Sequence, residues 1–132
     1  MLYVINTMVK IKTFFKALAN ENRLRVIKML ENNCLCVCEI KSVLGTSQPA
    51  VSRHLGILKR AGFLENVKNG EWVYYRVAET KNPLIGQLLR HVFNALENEK
   101  QSAKDRKKVK KLLKVRMCEQ RGKRNEKKSF AS

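Results

Sequence analysis

Thr46-Ser47-Gln48-Pro49-Ala50-Val51-Ser52-Arg53-His54-Leu55 decides the fold. Thr46-Ser47 is an N-cap signal, because a hydroxyl can accept from an amide that a helix start leaves unpaired. Pro49 falls in the first turn, where its missing N–H does no harm. Val51, Leu55 and Leu58 recur at helical spacing, so a buried face runs to about Arg60 before Ala61-Gly62 stops it. The other face carries Gln48, Ser52, Arg53 and Lys59. Gln and Arg can form paired hydrogen bonds with base edges in a major groove. Ser47 and Ser52 suit phosphate oxygens.

Working outward, Cys38 to Leu44 is expected to form a short helix, with Ile40, Val43 and Leu44 inward and Gly45 as its breaker. Two short helices joined by a glycine-containing turn make a helix-turn-helix. Downstream, Phe63–Val67 and Trp72–Val77 read as strands around Lys68-Asn69-Gly70-Glu71, and Asn-Gly is a strong hairpin signal. A hairpin after a recognition helix is a wing. Lys68, Asn69 and Gly70 form its tip and Arg76 its base, suited to a phosphate backbone or a minor groove. Trp72, Tyr74 and Tyr75 are expected to pack.

Helical periodicity over residues 8–19, over 21–32 behind an Asn20 cap, and from Pro83 through Leu84, Leu88, Val92, Ala95 and Leu96 supplies the remaining elements. That last helix is expected to continue to about Lys114. The fold class is mostly α with a β-hairpin wing: a dimeric winged helix-turn-helix. The dimer is expected because the first and last helices carry more apolar surface than so short a chain buries alone.

The 132 residues suit one small domain, with a net charge of +17. Such a charge points to a polyanionic partner. Residues 1–103 hold 15 basic and 8 acidic side chains, and residues 104–132 hold 13 and 3. Residues 8–103 are therefore expected to be the DNA-binding and dimerisation domain, and 104–132 a basic, largely disordered tail. No apolar run approaches the roughly 18 residues that span a bilayer, and the start lacks signal-peptide features. The expectation is a cytoplasmic protein without a membrane partner. Its thiols would then stay reduced and be available to metals. Paired acid/base residues, a nucleophile elbow and a phosphate loop are all missing, so an enzyme is not expected.

Cys34-Leu35-Cys36-Val37-Cys38 stands just before the helix-turn-helix. Three Cys at alternate positions line one face of an extended backbone, whereas in a regular helix residues two apart point to nearly opposite sides. Soft thiolates select soft ions, and three of them without His or carboxylate favour As(III) or Sb(III). Cd(II) or Pb(II), and oxidation of the thiols in a redox switch, are the alternatives. Cys118 is a further possible ligand. No organic cofactor is expected.

These segments resemble the ArsR/SmtB family of bacterial winged-helix metalloregulatory repressors over about residues 10–100. Phe15-Lys16-Ala17-Leu18-Ala19-Asn20-Glu21-Asn22-Arg23-Leu24-Arg25 resembles the family's opening, with Asn-Glu in place of Asp-Pro or Ser-Glu. Cys36-Val37-Cys38-Glu39-Ile40 is similar to its metal box. Ser47 to Leu55 is similar to its recognition helix, and Gly70-Glu71-Trp72-Val73-Tyr74-Tyr75-Arg76 to its wing. The resemblance to the arsenical-resistance branch implies an autoregulating homodimer on an inverted-repeat operator, released when As(III) or Sb(III) binds. It carries over Cys36 and Cys38. Some members place a third Cys where this chain has Lys41, so the third ligand stays open between Cys34 and Cys118. The Asp/His/Glu site on the family's last helix has no match.

Overall fold

The computed structural model describes the backbone of residues 2–130 and the side chains of residues 7–116. The order is α1 (Leu2–Leu18), α2 (Glu21–Met29), β1 (Leu35–Cys36), α3 (Val37–Leu44), α4 (Gln48–Ala61), β2 (Leu64–Asn69), β3 (Trp72–Val77), α5 (Pro83–Leu96) and α6 (Lys100–Phe130). Asn20 caps α2 as expected: its Oδ1 accepts from the Arg23 amide at 3.1 Å. Ser47 caps α4 through the Ala50 amide at 3.3 Å. Gly45 (φ 73°) and Gly62 (φ 94°) end α3 and α4 in the left-handed region, where a side chain would be strained.

The core lies where α1, α2, α3 and α4 meet. Val26, Ile27, Leu30, Ile40, Val51, Leu55 and Leu58 are fully buried. Phe14 of α1 meets Phe63 edge to face, with ring centroids 5.7 Å apart. The expected inward residues of α3 and α4 are all buried. In α5 the buried residues are Ile85 and Leu89, and the expected stripe of Leu84, Leu88 and Val92 is only half-covered.

The sheet has three strands rather than the two of a hairpin, ordered β1-β3-β2. β2 and β3 are antiparallel, with Asn69 opposite Trp72, so Gly70-Glu71 is the loop. Gly70 takes φ 64° there, as a tight hairpin requires. Leu35 and Cys36 pair with Tyr75 and Tyr74. Tyr75 packs on the core, but Trp72 is 59% exposed, against the expectation that it packs.

The expected boundary between residues 103 and 104 falls inside a helix. The helix from Pro83 ends at Leu96, a new one starts at Lys100, and its backbone continues to Phe130 where a disordered tail was expected. The part of this helix that packs on the core falls within the stretch expected to be helical to about Lys114. Asp105 and Val109 are buried, with Leu112 and Leu113 against the core, all on one helical face. Asp105 receives two hydrogen bonds from Arg25 of α2, at 2.9 and 3.0 Å, and one from Gln101 at 2.9 Å. The Asp105 hydrogen bonds hold the Arg25 guanidinium above its ordinary range, against the effect of burial.

Asp105→Ala should leave a largely buried arginine unpaired. The expected loss is about 2–3 kcal/mol, a little below the usual cost for a broken buried pair because Arg25 keeps some solvent. Urea denaturation should show the midpoint falling with little change in slope. An unchanged midpoint would mean that α6 adds nothing to the fold.

Candidate nucleic-acid interface and cysteine segment

The capped start and buried face of α4 fix its outer face. Gln48, Ser52, Arg53 and Lys59 are all exposed there, and Ser47 is exposed at the cap. Four expected contact residues and the cap thus share one accessible helix surface. Lys68 and Asn69 are exposed at the wing tip. Arg76 stands at the wing base as expected, but its Nε donates to Glu65 Oε1 at 2.7 Å, across the strand pair. A phosphate there would compete with that carboxylate.

Arg23 was not singled out in the sequence beyond its place in the family-like opening. It ties the end of α1 to the recognition helix. Its guanidinium donates to the Ala17 and Lys16 carbonyls at 2.7 and 3.0 Å, and Nη1 lies 3.4 Å from His54 Nδ1. Burial, together with the charges of Arg23 and Arg53, pushes the His54 pKa below its ordinary value of 6.5.

The cysteine segment is divided between two elements. Cys36 is the second residue of β1 and also the N-cap of α3. Cys34 is half-buried, Cys36 is buried and Cys38 is exposed in the first turn of α3. Among the described residues, no three His, Cys, Asp or Glu side chains stand where they could share a metal ion. Of the three cysteines only Cys36 lies in β1, and the helix begins at Val37, before Cys38. The side chain of Cys118 lies outside those described.

Glu39 accepts from the Cys36 amide at 3.0 Å. A Cys36-x-x-Glu39 spacing is that of a capping box and could have been read from sequence. Burial pushes the Cys36 thiol above its ordinary value, and the Glu39 charge adds to it, against a hydrogen bond from the Glu39 backbone that favours thiolate.

Residues 20–66 match the family described as bacterial regulatory protein, arsR family. The chain is similar to the arsenical resistance operon repressor of Escherichia coli strain K12, 46% identical over 65 residues, which cover 48% of this chain and 56% of that repressor. The match thus spans little more than half of that relative's length. HlyU from Vibrio cholerae N16961 is 37% identical over 94% of its own chain and 64% of this one, with a TM-score of 0.54. A homodimeric winged helix-turn-helix DNA-binding domain from Mycobacterium bovis is 25% identical over 73% of this chain and 86% of its own, with a TM-score of 0.60. The capped recognition helix, the wing and these similarities agree on one lineage: the chain belongs to the arsR family of bacterial regulatory proteins, transcriptional regulators with a winged helix-turn-helix.

Proposed function

We propose that the chain is a homodimeric repressor that leaves its operator when As(III) or Sb(III) binds its cysteines. Ser47, Gln48, Ser52, Arg53 and Lys59 would contact an inverted repeat through α4, and Lys68, Asn69 and Arg76 through the wing. Cys36 and Cys38 would hold the ion, with Cys34 or Cys118 as the third ligand. One observation carries this reading. Cys36 belongs at once to a strand paired with the wing and to the cap of the helix that precedes the recognition helix.

The chemistry follows from that position. As(III) in water carries three hydroxyls, and each thiol that binds gives its proton to a hydroxyl, which leaves as water. Cys36 and Cys38 cannot turn toward one ion while residues 36–39 keep their cap and helical turn. Binding would open the start of α3, and both the wing and α4 would lose their setting. The ion must bind the opened state better than the DNA-bound one, by a coupling of roughly 1–3 kcal/mol per site.

The arsenical-resistance repressor supports arsenic as the effector. The outer face of α6 adds a nonspecific contribution. Lys104, Lys107, Lys108, Lys111 and Lys114 are exposed there, with no acidic partner among the described residues. They suit phosphates flanking the operator.

Met8, Val9 and Phe15 are 69, 57 and 57% exposed on α1, and the Leu84-Leu88-Val92 side of α5 is half-open. A second copy would cover both faces, as the homodimeric relative suggests. Phe15→Glu should therefore raise the dimer dissociation constant about tenfold or more, since it buries a charge in an apolar interface. Sedimentation equilibrium reads the shift. A wild-type chain that is monomeric at micromolar concentration would refute the dimer.

The decisive experiment is a fluorescence-anisotropy titration on the chain's own promoter DNA, with As(III), Sb(III), Cd(II), Pb(II) and peroxide added in turn. Release by As(III) or Sb(III) alone supports the proposal. Release by Cd(II) or Pb(II) would transfer the site to a divalent-metal sensor. Release by peroxide that dithiothreitol reverses would make it a redox switch.

A further inference from the structure

Arg116 lies far along α6 and is nevertheless built into the cysteine segment. Its Nε donates to Glu39 Oε2 at 3.0 Å, and Nη2 donates to Glu39 Oε1 and to the Cys34 carbonyl, the latter at 3.1 Å. The guanidinium carbon sits 5.0 Å from the centre of the Tyr74 ring. Tyr74 is the wing residue that pairs with Cys36. Glu39 is also the group that caps the Cys36 amide. One side chain therefore engages the backbone before Cys36, the carboxylate that caps it and the strand paired with it. Both partners of the ion pair are mostly covered, with side chains 22 and 15% exposed.

We propose that Arg116 is a positioning residue of the switch, a latch that holds Cys34–Glu39 closed and sets how much thiol-seeking ligand is needed to open it. Opening the cap to bring Cys36 and Cys38 to one ligand would break the Cys36–Glu39 hydrogen bond and move the Cys34 carbonyl. Arg116 makes these contacts only in the closed state. A contact present in one state and lost in the other biases the equilibrium between them. The same contacts thus favour DNA binding and oppose the ligand. Lysine would not replace this arginine, because the contact is forked and stacked. α6, which packs on both α2 and α3, becomes the element that adjusts the threshold.

The ligand arm of this inference rests on the thiol-switch reading above, but the latch itself does not. The test uses the full chain with Arg116→Gln, and Lys81→Gln as a control that removes an equal charge from an exposed loop. Circular dichroism melts check that each is folded. In Arg116→Gln, alkylation of buried Cys36 by iodoacetamide, read by peptide mass spectrometry, should accelerate about tenfold. The As(III) concentration that releases operator should fall by a similar factor. A merely weakened fold would not bind As(III) more tightly. Glu39→Gln keeps a cap acceptor but drops the ion pair. It should reproduce both effects, and combining it with Arg116→Gln should add little, as expected of two partners in one contact. Alkylation and release matching those of Lys81→Gln would overturn the latch, as would full additivity of the two substitutions. If neither As(III) nor Sb(III) releases the wild-type protein, the proposed function falls. Cys36 alkylation in the two single variants and their combination then decides the latch alone.

Discussion

With Cys36 and Cys38 both replaced by serine, arsenite should no longer free the operator, even at concentrations about 100-fold above those that release the wild-type protein, near the upper end of ordinary allosteric coupling. Operator affinity without arsenite should stay within about threefold, because serine is nearly isosteric and is a favoured N-cap at position 36. A serine hydroxyl offers As(III) no advantage over the hydroxyls it already carries in water, whereas soft thiolates do. The pair therefore separates sensing from DNA binding. Anisotropy titrations of both proteins on one promoter fragment make the comparison. If the double variant still lets go at wild-type arsenite concentrations, the cysteine segment is not the sensor. Cys34→Ser and Cys118→Ser, made singly, then divide the third-ligand question, since only the true ligand should raise the release concentration.

The recognition helix was legible because its signals are local. Ser47 caps it, Pro49 fits its first turn and Gly62 stops it, and each acts through the backbone within a few residues. The wing was legible for the same reason, since Asn69-Gly70 determines its turn. What sequence missed depends on distant partners. β1 exists only because β3 passes beside Leu35 and Cys36. Val109, Leu112 and Leu113 could be read as anchors of α6, but the ion pair of Asp105 with Arg25 that helps dock it could not. The pairing of Arg76 with Glu65 could have been anticipated from the hairpin register, but that of Arg116 with Glu39, 77 residues apart, could not. The cysteine run itself was visible in the sequence. Its division between a strand and a helix start could not, because that division is fixed by the neighbouring strand.

Removing the two base-reading candidates should have the largest effect on DNA. Gln48→Ala combined with Arg53→Ala should weaken operator binding by at least about 100-fold, since each paired contact with a base edge is worth roughly 1–3 kcal/mol. Neither side chain supports the fold: both are exposed, while Val51, Leu55 and Leu58 on the opposite face remain buried. Binding to random DNA should fall much less, because on the proposed reading the lysines of α6 and the wing tip would still meet phosphates, and that residual binding should decline steeply with salt. Arg53→Ala carries a second signature. Its charge is one of the causes, after burial and Arg23, that keep the His54 pKa low. The substitution should therefore raise that pKa part of the way back toward 6.5, as a proton NMR titration of the imidazole would record. The ratio of operator to random-DNA affinity is the critical number. If the double variant weakens both by the same factor, α4 contributes only positive charge, and another surface reads the sequence. If operator affinity collapses while random-DNA affinity persists, Gln48 and Arg53 carry the specificity and the rest of the basic surface carries the grip.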